Sequence, residues 1–211
     1  LPPVYRGAPG EDAIWQFTSG SRGEPKAVRH SHWGLMAAAE AYGSGVLRLS
    51  AEDVTIAAPR LPFGYAMGLN FLFPFAVGAS IVLFDERPTP QALVERIRRH
   101  RVTVLATTPA SVRQMLEAGV SRDALGSLRV AVSAGEALPS RLHLAWVEQT
   151  GRPILDGLGM TEMGHIVVSN RLDDARPGLL GRPVPGYELR VCDAARSEEH
   201  TSELQSRGLI S

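Results

Sequence analysis

Lysine is almost absent from this sequence, and cysteine is as scarce. Of the 22 Lys and Arg residues only Lys26 is a lysine, and Cys192 is the single cysteine among 211 residues. One cysteine excludes an internal disulfide. No run of about 18 apolar residues occurs, which excludes a bilayer-spanning helix. Net charge is missing too: 22 basic residues balance 22 acidic ones. Without clustered positive charge, the strongest reason to expect a nucleic-acid or anionic-membrane partner is gone. The opening Leu1-Pro2-Pro3-Val4-Tyr5 has no initiator Met, no charged n-region and no apolar h-region, so it reads as neither a signal peptide nor a natural start. The expectation is a cytoplasmic protein acting on small molecules, with no nucleic acid and no membrane as partner.

What is present is a globular composition, 44% apolar and 21% charged, with room for one large domain. From Asp53 to Leu155 short β-branched runs alternate with amphipathic stretches, the pattern of a mostly parallel sheet flanked by helices, so the predicted class is α/β. Predicted strands are Val54–Ala57, Ser80–Phe84, Val102–Ala106, Leu128–Val132 and Pro153–Leu155. Helices are predicted near Met67–Val77, Pro90–His100, Pro109–Ala118 and Pro139–Gln149, with Pro90, Pro109 and Pro139 at their starts, where proline is best tolerated. Ahead of them, Ile14–Phe17 and Ala27–His30 read as two strands joined by a loop, and Ser31 as the cap of a helix reaching to about Val46. After Gly159 a short β-rich segment is expected, with strands at Ile166–Ser169 and Tyr187–Val191. The run Arg96–Arg101 reads as the solvated end of a helix, where cations suit the dipole. His30 and His32 lack a third ligand nearby and are not read as a metal pair.

The strongest local feature is the segment Phe17-Thr18-Ser19-Gly20-Ser21-Arg22-Gly23-Glu24-Pro25-Lys26, in which hydroxyls, glycines and a lysine crowd between two strands. Glycines let successive N–H groups converge on an anion, hydroxyls add donors, and an ammonium adds charge without imposing a fork geometry. The lone lysine falls here, which favours a phosphate-binding reading over a merely polar hairpin loop. The ordinary nucleotide P-loop is excluded, because Glu24 and Pro25 separate Gly23 from Lys26 and Ala27 follows it. A second feature, Asp156-Gly157-Leu158-Gly159-Met160-Thr161-Glu162, is read as an acidic, Gly-rich turn directly after a strand, where ligand clefts of open α/β sheets lie. Glu162 is its metal-facing carboxylate. A third, Ser133–Pro139, also follows a strand and carries small residues that admit a flat ring.

Together these segments resemble the acyl-adenylate-forming (AMP-binding) superfamily of acyl-CoA synthetases, peptide-synthetase adenylation domains and luciferases. Thr18–Val28 is similar to its phosphate loop, and Gly159–Glu162 to its G-x-T-E motif. Within it the likeness is to benzoate–CoA ligases, carried by Arg60–Tyr65, Glu86–Pro90, Ser133–Pro139, Ile154–Asn170 and Gly181–Glu188. The resemblance implies that Thr18, Ser19, Gly20, Ser21, Gly23 and Lys26 hold the phosphates of ATP. It places Gly135, Glu136, Ala137, Asp156 and Gly157 around adenine, and Thr161 and Glu162 at phosphate and Mg²⁺, with Lys26, Thr161 and Glu162 catalytic. Tyr65, Ala134, Gly159, His165 and Ile166 would line the acid pocket; for Tyr65 and His165 a half-buried core role is the alternative. Arg22, Ala27 and Met160 depart from the usual pattern, and Arg22 either adds a phosphate contact or disturbs the loop.

The implied reaction joins an aromatic carboxylate to ATP, giving acyl-AMP and pyrophosphate, and then to CoA. Full-length relatives also carry a mobile C-terminal domain with a second catalytic lysine, and no lysine follows Lys26. Residues 1–195 are therefore expected to be a partial adenylation domain, inactive by itself, from a homodimeric parent. Residues 196–211, Arg196 to Ser211, resemble the translation of a sequencing-library adapter and are expected to be a disordered, artefactual tail. An aryl-acid adenylation domain loading a carrier protein and a noncatalytic nucleotide-binding module are the alternatives.

Overall fold

The computed structural model describes residues 7–18, 24–83 and 85–190. A hairpin comes first: β1 (Asp12–Thr18) runs antiparallel to β2 (Lys26–Ser31), with Ile14 opposite His30, Gln16 opposite Val28 and Thr18 opposite Lys26. Because side chains alternate along a strand, these three pairs share one face. Gln16 and His30 are buried, so this face looks into the molecule, while Trp15 and Phe17 on the other face are exposed. Ser31 then caps α1 (His32–Ala38), its Oγ accepting the Gly34 N–H at 3.1 Å. The helix widens into π turns over Ala39–Ser44, close to the predicted extent.

The rest is a sheet with helices on both faces. β3 (Val54–Ala57) leads to α2 (Gly64–Met67), a π stretch at Gly68–Leu72 and α3 (Phe73–Ala76). The single helix predicted near Met67–Val77 is thus broken, and the break falls at Asn70, whose φ is −123°. Its buried amide accepts from Thr55 Oγ1 at 2.7 Å and donates to the Val82 carbonyl at 3.1 Å. The helix gives up its regularity so that this side chain can tie β3 to β4 (Ser80–Val82). Phe84, predicted as the end of β4, lies outside the described residues.

Next come α4 (Pro90–His100), β5 (Val104–Thr107), α5 (Pro109–Glu117) and β6 (Val130–Ser133). Pro90 and Pro109 occupy first turns as predicted, each behind a threonine whose hydroxyl accepts an N–H: Thr89 from Ala92 at 3.2 Å, Thr108 from Ser111 at 3.3 Å. Pro139 instead stands one residue ahead of α6 (Ser140–Thr150). β7 (Ile154–Gly159), β8 (Ile166–Ser169) and β9 (Arg182–Pro183) complete the sheet, whose order is β4-β3-β5-β6-β7-β8-β9. β4, β3, β5, β6 and the start of β7 are parallel, whereas β8 and β9 are antiparallel. The strand predicted at Tyr187–Val191 does not form over its described part. Gly186, at φ +88°, turns the chain, and the Tyr187 N–H closes on the Val184 carbonyl at 3.0 Å.

Alternation along the central strands divides the core. Val130 and Val132 point to one face with Tyr42, Leu47, Phe73, Leu155 and Ile166, and Ala131 points to the other with Ile97, Met115, Leu125 and Trp146. No helix among the described residues is long and apolar enough to cross a membrane. At the amino edge Asp53 is buried and binds Arg129 through Nε at 2.7 Å and Nη2 at 2.9 Å, while accepting from Thr103 at 2.6 Å and the Ser50 N–H at 3.0 Å. One carboxylate thus fastens the entries of β3, β5 and β6.

Burial pushes the Asp53 carboxyl up, but Arg129, Thr103 and the Ser50 N–H outweigh it and hold it below the ordinary value of 3.8. The arginine is about one-third exposed (32%), so screening trims the pair, and Arg129→Ala is expected to lower stability by about 2 kcal/mol in urea unfolding. A depressed carboxyl stabilises above its unfolded value and loses that contribution as pH falls through the folded one. The deficit of the variant should therefore shrink on acidification below pH 3.8; a deficit constant through that range would contradict this role for Asp53.

Candidate active site

Two supports at the carboxyl edge are built by β7. Paired in parallel with β6 as far as Asp156, the strand continues as an antiparallel partner of β8 from Gly157. Asp156 and Gly157 therefore lie inside a strand rather than in the turn predicted for them, because β8 extends the ladder past the point where β6 ends. The turn itself is the short 3₁₀ segment Thr161–Met163, ended by Gly164 at φ +78°. Glu162 is exposed in it and Thr161 is half-buried. β1 packs beside this turn, and the His30 ring lies against Gly164. The hairpin that carries Thr18 and Lys26 and the turn that carries Thr161 and Glu162 are thus neighbours. Ser19, Gly20, Ser21, Arg22 and Gly23 lie outside the described residues.

The Asp156 side chain is buried and braces the neighbouring loop. Its carboxylate accepts the Leu138 N–H at 3.0 Å and the Gly157 N–H at 3.1 Å. This anchors the end of the loop Ala134–Leu138, in which Gly135 takes φ +95° and Gly135, Glu136 and Ala137 are exposed. A flat ring has backbone to lie on here. Burial pushes the Asp156 carboxyl up to about 6, against the opposing pull of those two N–H groups.

The predicted acid-pocket residues also converge. His165 is buried, with its ring centroid 4.5 Å from Phe73, 5.2 Å from Tyr42 and 5.8 Å from Tyr65. Its Nε2 lies 3.1 Å from the Tyr65 carbonyl oxygen. A carbonyl only accepts, so Nε2 carries the proton and Nδ1 is left as a buried acceptor without a partner. Burial pushes the pKa of the ring down to about 4, with the Tyr65 carbonyl pulling weakly the other way, and the imidazole is neutral. The Tyr65 hydroxyl donates to the Val132 carbonyl at 2.7 Å. Ile166 and Ala134 are buried beside it in the same core, and Gly159 sits exposed at the end of β7.

Sequence reasoning missed the residues that hold this nest together. Gly68 is needed because a β-carbon there would stand 2.4 Å from His165 Cδ2. Tyr42 and Phe73 supply the other walls. Gln16 covers Gly64, next to Tyr65, and so links the hairpin to the nest. Its signal was available, as a polar residue at an inward position of the alternating strand. Gly68, Tyr42 and Phe73 come from distant segments and carry no local signal.

With this geometry established, known proteins provide a comparison. The sequence profile of the AMP-binding enzyme family matches residues 2–208. A benzoate–CoA ligase of Thauera aromatica is 42% identical over 205 residues, which is 95% of this chain and 39% of that protein. Among solved structures, a benzoate CoA ligase from Burkholderia xenovorans LB400 superposes with a TM-score of 0.87 at 35% identity, over 94% of this chain and 40% of that one. The anthranilate CoA ligase AuaEII in complex with anthranoyl-AMP does so with a TM-score of 0.87 at 35% identity, over 95% and 39%. The chain spans about two-fifths of the length of these relatives.

His165 and Asp156 set opposing pH dependences. A depressed histidine stabilises above its unfolded value of 6.5 and loses that contribution as pH falls towards about 4. A raised carboxyl stabilises below its unfolded value of 3.8 and loses that contribution as pH rises through about 6. The slopes cancel across much of this window, so urea unfolding should show nearly flat stability there. Asp156→Asn, which removes one slope, should make stability rise with pH. A flat profile in the variant would contradict the neutral, buried state of His165.

Proposed function

Because this chain belongs to the AMP-binding enzyme family, we propose that it is the nucleotide- and acid-binding portion of an acid–CoA ligase that activates an aromatic carboxylate of the benzoate type. The observation that supports the reading is the packing of β1 beside the Thr161–Met163 turn, which makes the hairpin that carries Thr18 and Lys26 a neighbour of the turn that carries Thr161 and Glu162. The aromatic acid is supported by the nest of Tyr65 and His165, whose planes lie within 28° of each other, and by the neutral imidazole, which adds no charge beside an apolar ring.

In the first step a carboxylate oxygen attacks the α-phosphorus of ATP. The bond to the bridging oxygen of the β-phosphate breaks, and pyrophosphate leaves with that electron pair. Lys26, exposed at the start of β2 opposite Thr18, neutralises charge on the phosphates, and Thr161 donates to them. Adenine lies on the exposed backbone of Gly135–Ala137, which Asp156 holds in place. Among the described residues no three metal-binding side chains gather. Mg²⁺ arrives with phosphates and needs only one or two carboxylates; Glu162, exposed in its turn, would hold it, and its charge would stabilise the leaving pyrophosphate. In the second step a thiolate attacks the acyl carbonyl and AMP leaves.

Residues 1–195 are proposed as a partial adenylation domain of a longer enzyme. The chain by itself is proposed not to complete thioester formation, since it has no second lysine for that role. In an enzyme containing this chain, Lys26→Ala is expected to slow benzoate-dependent pyrophosphate release by about a hundredfold, the order seen when one charge-stabilising donor is lost. An unchanged rate would remove Lys26 from the phosphate site, and benzoyl-CoA formed by the isolated 211-residue chain would refute its inactivity.

A further inference from the structure

A cavity of about 330 Å³ lies where the π turns after α1 end, against the chain just past β8 and the start of β9. Its walls include three guanidinium groups, Arg48, Arg171 and Arg182, and a single carboxylate, Asp173. The volume falls within the range of small-molecule sites. Thr18, Lys26, Thr161 and Glu162 do not line it, so it is separate from the proposed cleft.

The three cations are braced without being neutralised. Arg171 donates through Nη1 to the Ser169 carbonyl at 2.7 Å and the Asn170 carbonyl at 3.4 Å, and through Nη2 to the Pro183 carbonyl at 2.8 Å. These bonds occupy three of its five N–H groups and leave two. Carbonyls hold the side chain in place but bring no full negative charge. Burial, and then the neighbouring Arg182, push the pKa of Arg171 down, while Asp173 pulls more weakly the other way. Arg182 stands 3.9 Å from Asp174, which Arg176 holds more closely at 2.9 Å. Arg48 is exposed, and no ion pair among the described residues includes it. An anion among these groups offsets both the repulsion between like charges and the cost of desolvating Arg171. Guanidinium groups from three separate segments can meet three oxygens of a tetrahedral anion, whereas a carboxylate offers only two.

We propose that this cavity binds the phosphate group of a small anionic molecule, gripped by Arg48, Arg171 and Arg182. Free phosphate and a phosphorylated metabolite share that group. The site stands independently of the ligase reading. Ser169 links it to the aromatic nest: its carbonyl holds Arg171, and its hydroxyl shares a hydrogen bond with Tyr42 at 3.2 Å.

The test is calorimetry on the 211-residue chain carrying Lys26→Ala, so that phosphate at the hairpin does not contribute. Inorganic phosphate is titrated first, then the monoester phenyl phosphate, with succinate as the dicarboxylate control. Arg171 is left intact because it holds three carbonyls, and the substitutions are made at Arg48 and Arg182, both exposed. The expected result is one phosphate bound per chain, with affinity about ten- to hundredfold weaker when Arg182→Ala is added, the loss of a hydrogen bond to a charged group. Arg48→Glu, which reverses the charge of one wall, is expected to abolish binding. Phenyl phosphate bound more tightly than inorganic phosphate would identify a phosphorylated metabolite as the ligand, and the opposite order would identify the free anion. No phosphate bound by the Lys26→Ala chain, an affinity unchanged in either added variant, or succinate bound as tightly as phosphate overturns the inference. Each of those results leaves the ligase reading standing.

Discussion

The proposed cleft depends on how closely β8 approaches β7. A β-carbon at Gly157 would stand 2.9 Å from Ile166 Cδ1, and one at Gly159 would stand 2.7 Å from the His165 carbonyl oxygen. The contact at Gly159 is with backbone, which cannot give way, so glycine there lets the antiparallel strand close over the end of the parallel sheet, while a side chain at Gly157 would have to displace that of Ile166. That closure extends β7 beyond β6. It carries His165 and Ile166 over the sheet edge and sets the Thr161–Met163 turn beside the hairpin.

Buried polar groups then fix the pieces that this crossing brings together. Asp156 joins β7 to the loop after β6, Tyr65 joins α2 to β6, and His165 joins β8 back to α2. Each bond runs between elements far apart in sequence, and each lies under the proposed cleft. A cleft whose donors are already oriented pays little to reorganise when substrate arrives, and preorganisation of this kind is what adenylate chemistry, mostly positioning and charge neutralisation, demands. At the other edge Asp53 performs the equivalent service with Arg129 and Thr103, keeping the strand entries in register.

Much of this was legible in the residues. The alternation of β-branched runs with amphipathic stretches located β3 and α4 with their observed bounds, because buried parallel strands and one-sided helices impose different periods on the sequence, and the short β-rich stretch after Gly159 located β8. Pro90 and Pro109 marked the starts of α4 and α5. The reading faltered where a side chain overrode local preference. Asn70 breaks a helix to satisfy two strands. Asp156 appears in a stretch that reads as a turn, yet it lies in a strand, since the β8 that extends the ladder is a distant partner. The last predicted strand is replaced by a turn at Gly186.

By itself the sequence determined the α/β class and the family, and it singled out the residues proposed for phosphate and acid, because spacing along the chain records periodicity and motif directly. The tertiary structure alone decided that Gly68 makes room for His165, that Gln16 and His30 face inward beneath the hairpin, and that Arg48, Arg171 and Arg182 line one cavity. Those facts are distances between segments separated by tens of residues, and close packing enforces such distances without leaving a local mark on either segment.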